Sequence, residues 1–421
     1  MTDVPVVTVE EARELVLGRV ARLSAENVAL ADALGRVLAD DARSDIDVAP
    51  FDNSAMDGFA VRAADLAGAS PESMIPLEVI AHIGAGDDVA GIVVGAGQAA
   101  RIMTGAAVPE GADSVVMVER TSVLTGDGST GSSVAFELEP SLGQHVRRRG
   151  EEVLAGDVVL PSGSVLGAAA IGLLAATGHA EVSVYRRPRV AVLSTGSELV
   201  DVAEKPGPGK IRDSNSYSIA AQVIAAGGLP VRYETVPDDM AATRAAFSVA
   251  AEQCDYIVVS GGVSVGDFDY VKPVLEELGE LVFCKVNMRP GNPQTMGSIG
   301  GVPFFGLPGN PTSTYVGFEV FVRPSLRIMQ GLSAIDRPTT LARLAHDVKK
   351  RQGRRYYLRG RVERAPDGDG YVASLPESQS SALLMAAHRG NCLVVFPEGP
   401  GEFPAGTQVE CMRLDMEEGT P

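Results

Sequence analysis

Residues 188–330 alternate compact apolar runs with helix-like stretches, and this alternation constrains the fold more than any other feature. Strands are expected at 189–193, 231–236, 256–259, 282–286 and 302–307. Helices are expected at 214–226, 239–252, 268–278 and 310–329. The first of these has an Asp213/Ser214 cap and ends at Gly227-Gly228. Strands and helices in alternation call for a mostly parallel sheet with right-handed crossovers. In such a sheet the ligand crevice lies beyond the carboxyl ends of the strands. Three glycine-rich polar loops, 194–198, 260–269 and 307–313, each leave a strand, so all three should gather on one edge.

The flanking regions read differently. Thr8-Val9-Glu10-Glu11 is a capping-box pattern opening a helix over about 9–23. A second helical segment is expected at 29–39. From 46 to about 146 short apolar runs alternate with Gly, Pro and Asp clusters, as in a β-rich lobe. Residues 166–176 form a small-residue helix suited to close packing or a dimer contact. After about 331 the pattern is again β-like, with a hairpin turn at Asp367-Gly368-Asp369-Gly370 and a short helical turn at 380–387, so a small β-barrel or sandwich is expected.

At 421 residues the chain is long enough for two to four domains. A net charge of −18 repels nucleic acid and anionic membrane surfaces, so neither is an expected partner. The four cysteines are widely spaced, which argues against a disulfide framework or zinc site and fits reduced thiols in the cytoplasm. The opening 14 residues are acidic and short of apolar runs, unlike a cleavable signal. The longest apolar stretch, 166–177, falls below the ~20 residues of a membrane helix.

Chemistry concentrates in the loops. Asp52-Asn53-Ser54-Ala55-Met56-Asp57-Gly58 crowds carboxylate, amide, hydroxyl and glycine, which suits a charged ligand or a metal as well as a capped turn. Gly261, Gly262 and Ser264, ahead of a helix, can cradle an anion with backbone N–H groups. In Gly306-Leu307-Pro308-Gly309-Asn310-Pro311-Thr312-Ser313 two prolines stiffen the turn, while Asn310 or Ser313 can cap the helix and donate to an anion. Glu198, Asp238/Asp239, Asp267 and Asp269 accompany these loops. Carboxylates beside a phosphate cradle make sense with Mg²⁺ between them, although Asp239 and Asp267 can equally be helix caps. Lys285 and Arg289 supply positive charge near the same edge. Arg147-Arg148-Arg149-Gly150 reads as a solvated, salt-bridged turn. No Ser/His/Asp or Cys/His arrangement is evident, which favours metal-assisted transfer over covalent hydrolysis.

Taken together, these blocks resemble the molybdopterin molybdenumtransferase family, bacterial MoeA and the E domain of gephyrin. The matching stretches are DNSAMDG (52–58), RIMTGAAVP (101–109), 111–119, RRRGE (147–151), STGSEL (194–199), SGGVSVGDFDY (260–270), 289–293 and GLPGNP (306–311), in family order. The resemblance implies a multidomain α/β plus β protein. Residues 1–45 and 146–187 would form an elongated dimerisation region interrupted by a β-rich lobe, 46–145. A central MogA-like molybdopterin-binding α/β domain would follow at 188–330, and a C-terminal small β-barrel at 331–421. It further implies a cytoplasmic homodimer that takes adenylylated molybdopterin and molybdate, uses a divalent metal, and releases AMP and molybdenum cofactor. Carried over by motif, Asp57, Thr104, Glu198, Asp269, Pro308 and Pro311 fall at functional positions, with one of Asp238 and Asp239, of which Asp238 is taken as catalytic. Glu198 and Asp269 are the expected Mg²⁺ carboxylates. The lobe holding Asp57 and Thr104 would face the partner subunit's α/β domain. Molybdate is expected near Arg289 and Ser313, with Ser381 and an arginine from 354–359.

One departure stands out. The family stretch is usually Lys-Pro-Gly-Lys-Pro, and here it is Arg289-Pro290-Gly291-Asn292-Pro293. Losing a cation at an oxyanion site weakens binding by about 1–3 kcal/mol. A non-catalytic or altered-specificity paralogue acting as cofactor-binding scaffold is therefore one alternative, and a molybdopterin adenylyltransferase another.

Overall fold

The computed structural model describes residues 6–263, 270–366 and 368–419. The expected site residues Ser264 and Asp269, with Asp267, lie outside the described residues. The chain divides into two units, one of residues 27–182 and one of residues 1–26 with 183–421.

The first unit is built on a six-stranded sheet in the spatial order Ser114–Met117, Gly58–Val61, Gln98–Ile102, Ile75–Ile83, Ser133–Phe136, Thr121–Thr125. Phe59 and Phe136 meet edge to face at 5.5 Å in its core. Gly58 has to be glycine, because a Cβ there would sit 2.0 Å from the Val116 carbonyl oxygen. The helix expected at 29–39 is a single 3-10 turn, Leu30–Asp32. Gly35, at φ +74°, turns the chain away before a second turn can form. The helix Ala168–Ala176 does form, and Leu174 is its one buried residue.

In the second unit the capping box is present. Thr8 Oγ1 accepts from Glu11 N–H and Glu11 Oε2 from Thr8 N–H, opening the helix Val9–Leu17. It stops short of residue 23, where Gly18 N–H closes onto the Glu14 carbonyl at 2.9 Å. Its buried face, Val9, Ala12 and Val16, packs into the same core as the α/β layer.

The α/β layer comprises β1 (Arg189–Ser194), α1 (Asn215–Ala225), β2 (Leu229–Arg232), α2 (Met240–Gln253), β3 (Tyr256–Ser260), α3 (Val271–Leu278), β4 (Gly279–Lys285), β5 (Pro293–Ile299), β6 (Val302–Leu307) and α4 (Pro311–Gly317). The order is β2-β1-β3-β6-β5-β4, with β2, β1, β3 and β6 parallel and β5 antiparallel to both its neighbours, β6 and β4. The parallel portion follows the sequence expectation. Strand β5 was not expected, because Gln294, Thr295, Gly297 and Ser298 dilute its apolar pattern. Gly297 is required there, since a Cβ would lie 2.1 Å from the Glu280 carbonyl oxygen. Beyond α4 the helix continues through a π turn at Phe318–Val322 into Arg323–Met329. It is almost wholly buried and runs through the unit's core.

The final strands are β7 (Thr339–Leu344), β8 (Arg355–Arg364), β9 (Tyr371–Ser374), β10 (Cys392–Phe396) and β11 (Gln408–Arg413). They pair in the ring β8-β9-β7-β11-β10-β8, a closed five-stranded barrel. All four cysteines are free thiols. No helix among the described residues is long and apolar enough to cross a membrane.

An ion pair ties the entry of the α/β layer to β3. Arg186 grips Asp255 with two hydrogen bonds of 2.8 and 2.7 Å, and Arg189 N–H adds a third at 2.8 Å. Burial pushes the Asp255 carboxyl up, but these donors and their charges outweigh it and hold it below the usual carboxylate range. Asp255→Asn is expected to cost about 2 kcal/mol at neutral pH. A depressed carboxylate contributes stability above its unfolded value and loses it as pH falls through its folded value. The gap between variant and wild type in denaturant melts should therefore be full above pH 3.8 and close below it. A pH-independent gap would refute the ion-pair account.

Candidate functional site

The carboxyl ends of β1, β3 and β6 stop in register, Ser194 opposite Ser260 and Ser260 opposite Leu307. The loops that follow are thereby brought to one edge, as the strand–helix alternation requires. They line a cavity of about 680 Å³ with Gly196, Glu198, Gly261, Gly262, Pro308, Gly309, Asn310 and Pro311 among its walls. Backbone shape depends on the glycines. Gly262 sits at φ +61°, and a Cβ there would meet Thr195 Oγ1 at 2.7 Å and a Val271 methyl at 2.6 Å.

Asp238 and Asp239 separate cleanly. Asp239 caps α2, its carboxylate accepting from Ala242 N–H at 2.8 Å. Asp238 lines the cavity instead, accepting from Ser197 N–H at 2.9 Å, with Glu198 on the same wall. No cluster of three or more metal-ligating side chains occurs among the described residues. Two carboxylates lining one cavity nevertheless fit Mg²⁺, which is commonly held by one or two carboxylates and completed by ligand phosphates.

Asp213, Ser214 and Asn215 also belong to this cavity, a role their sequence pattern hid behind an ordinary helix cap. Asp213 does cap, accepting from Ser216 N–H at 3.0 Å, and also takes the Ser194 hydroxyl at 3.1 Å. Asn215 Nδ2 donates to Ser260 Oγ at 2.7 Å and to the Gly309 carbonyl at 2.9 Å, stitching two strand-end loops together. Its Oδ1 and the Thr195 hydroxyl are buried with no partner. Buried polar atoms of this kind are paired in most proteins, so these two are open to a ligand.

A smaller cavity of about 210 Å³ adjoins the first, sharing Pro293, Pro308 and Asn310. Arg289, Asn292, Ser313, Arg354, Arg359 and Ser381 contribute to its wall. Arg359 is 1% exposed, with Nη2 bound to the Ser380 carbonyl at 2.9 Å and Nε and Nη1 unpartnered. Burial alone pulls its pKa down to about 10, so it stays cationic at neutral pH. A buried cation without a counter-charge is costly unless an anion completes it. Asn292, the departure from the family pattern, donates Nδ2 to the Val286 carbonyl at 2.7 Å and closes its own loop. Lys285 lies at the end of β4 opposite Pro293 and lines neither cavity.

In the unit of residues 27–182, Asp57 and Thr104 meet directly. Asp57 Oδ1 accepts from Thr104 Oγ1 and N–H, both at 2.7 Å. The hydroxyl, then the N–H, hold the Asp57 carboxyl below its usual range. The arginine run is a salt-bridged turn as expected: Arg148 pairs with Asp52 at 2.6 Å and Arg149 with Asp47.

A closed barrel beside a mostly parallel α/β layer, with two adjoining cavities reached by its strand-end loops, defines a multidomain α/β plus β protein with a glycine-lined ligand crevice. Three family models cover most of the chain: the MoeA N-terminal region (domains I and II) at residues 7–178, a probable molybdopterin binding domain at 191–328, and the MoeA C-terminal region (domain IV) at 341–414. A molybdopterin molybdenumtransferase of Staphylococcus aureus is 38% identical over 98% of this chain and 96% of its own length. A "molybdopterin molybdenumtransferase 2" of Mycobacterium tuberculosis is 39% identical over 97% of this chain and 99% of its own. The solved molybdopterin biosynthesis moeA protein from Pyrococcus horikosii superposes with a TM-score of 0.83 at 32% identity, covering 98% of this chain and all of that one. The chain belongs to the MoeA family.

Proposed function

We propose that this chain is a molybdopterin molybdenumtransferase: it takes adenylylated molybdopterin and molybdate, releases AMP and yields molybdenum cofactor. The relatives that match nearly its whole length carry that name. The observation that carries the reading is the buried, half-unpartnered Arg359 guanidinium in a pocket adjoining a glycine-lined cavity.

In this reading the larger cavity holds the pterin phosphate and pyrophosphate. Backbone N–H groups at Gly262 and Gly309 donate to phosphate oxygens, whereas the Gly261 N–H is taken by the Leu307 carbonyl at 3.0 Å, and Asn215 Oδ1 and Thr195 Oγ1 meet polar groups of the ligand. Glu198 and Asp238, with Asp269, would hold Mg²⁺, which when bound offsets phosphate charge and polarises the scissile P–O bond. Arg289, Arg354, Arg359, Ser313 and Ser381 hold molybdate next to the anhydride whose cleavage releases AMP. Proximity of the two anions is what the shared wall supplies. Asp57, kept ionised by Thr104, serves the partner's site in a homodimer. The support for dimerisation is the helix Ala168–Ala176, whose residues are all apolar while one alone is buried.

The non-catalytic alternative draws on Asn292, but three arginines already line the pocket that lost its lysine. Asn292→Lys is expected to lower half-saturating molybdate several-fold, since an added cation is worth about 1–3 kcal/mol. The measurement is AMP release from adenylylated molybdopterin with Mg²⁺ across a molybdate titration. Binding of the adenylylated pterin without AMP release at any molybdate level, in wild type and variant alike, would move the assignment to a cofactor-binding scaffold.

A further inference from the structure

We infer that Tyr356 is a positioning residue that holds Arg289 at the oxyanion pocket; the inference rests on the reading of that pocket as the molybdate site. Arg289 is exposed, and its charge is the only one left in its loop now that residue 292 is neutral. Among the described residues no carboxylate pairs with it. A long exposed arginine with no partner samples many rotamers, so an anion that uses it must first order it. Here the ordering is done by a ring. The two-residue strand Met288–Arg289 pairs in parallel with the start of β8, and Arg289 stands opposite Tyr356. Arg355 N–H fastens that pairing by donating to the Asn287 carbonyl at 3.1 Å. Opposed residues of a parallel pair project to the same face. The Arg289 guanidinium accordingly lies 5.6 Å from the centre of the Tyr356 ring, within cation–π range.

The ring is itself well fixed. Tyr356 is 5% exposed and packs in the barrel core with Leu358, Phe396 and Phe403. Lys350 Nζ sits 5.1 Å from the same ring centre but donates to the Arg354 carbonyl at 3.1 Å, so its charge is tied outside the pocket wall. A rigid aromatic face supported by the barrel thus limits where the loop's one cation can point. Tyr356 does not line the pocket and acts through Arg289.

The test is equilibrium molybdate binding by calorimetry, alongside adenylylated-pterin binding and AMP release, for Tyr356→Leu and Tyr356→Phe with and without Arg289→Ala. Tyr356→Leu should weaken molybdate binding about three- to tenfold, with pterin affinity and maximal AMP release within about twofold. Tyr356→Phe, which keeps the ring, should restore most of the affinity. The leucine effect should vanish in the Arg289→Ala background, which a merely structural role would not produce. Should leucine disturb the barrel, fluorinated phenylalanines at 356 keep the bulk and drain the ring face; affinity should then fall stepwise with fluorination. Equal affinity across that series, or a leucine effect that persists without Arg289, overturns the proposal. Molybdate binding that follows the ring while no variant releases AMP would uphold the positioning role and refute the transferase reading. Wild-type protein that binds no molybdate would overturn both.

Discussion

Arg359→Leu is expected to raise half-saturating molybdate about a hundredfold while leaving thermal stability unchanged or improved. The direction follows from the unequal partners of the guanidinium: one nitrogen is bound to the Ser380 carbonyl and two are unpartnered. Charge-assisted hydrogen bonds to an oxyanion are each worth about 1.5–3 kcal/mol, so losing the two together removes about two decades of affinity or more. Burying the same cation without an anion is unfavourable, so leucine of similar bulk relieves a cost in the free protein. The opposed signs make the test sharp. Weaker molybdate binding with a lower melting temperature would mean that Arg359 is a packing residue. Arg359→Lys should be intermediate, because a point charge cannot reproduce the planar fork.

Glu418→Ala is expected to lower the melting temperature of the unit holding the α/β layer and barrel by roughly 10 °C, a loss of about 3–5 kcal/mol. Glu418 is buried near the chain end, bonded to Arg323 Nε, with Arg327 at 3.3 Å and Arg337 at 3.8 Å. Glu319 is the second carboxylate, 3.0 Å from Arg337, and also accepts from Gln222 at 2.9 Å. Removing Glu418 takes away the carboxylate that Arg323, Arg327 and Arg337 share in a buried setting. Glu418→Gln keeps the volume and some hydrogen bonding and should cost less. A melt unchanged in the alanine variant would show that the C-terminal segment is a passive tail.

Much of the architecture was legible in local pattern. Alternation between 188 and 330 implied the parallel strands, and with them the gathering of three glycine-rich loops at one edge. That inference holds because chain direction in a parallel sheet sends every strand end the same way. The capping box at Thr8 was likewise readable, since it is satisfied within four residues. Family motifs then gave the loops a chemistry that glycine and carboxylate content alone left open.

Other features depended on partners distant in the chain. Strand β5 has a diluted apolar pattern and exists because β6 and β4 pair with it. Asp238 and Asp239 are adjacent carboxylates with no local distinction; one caps a helix, and the bend before α2 sets the other against Ser197. Asn215 looked like a residue of a helix start, yet its amide bridges loops 45 and 94 residues away. Arg359 is one of 30 arginines, and barrel closure is what buries it beside the 289–293 loop. The sequence alone therefore settled the family, the α/β class and the loops that carry the chemistry, because these rest on periodicity and short motifs. Which carboxylate, amide and guanidinium face the ligand was left to tertiary structure, because burial and orientation are set by contacts that local sequence does not encode.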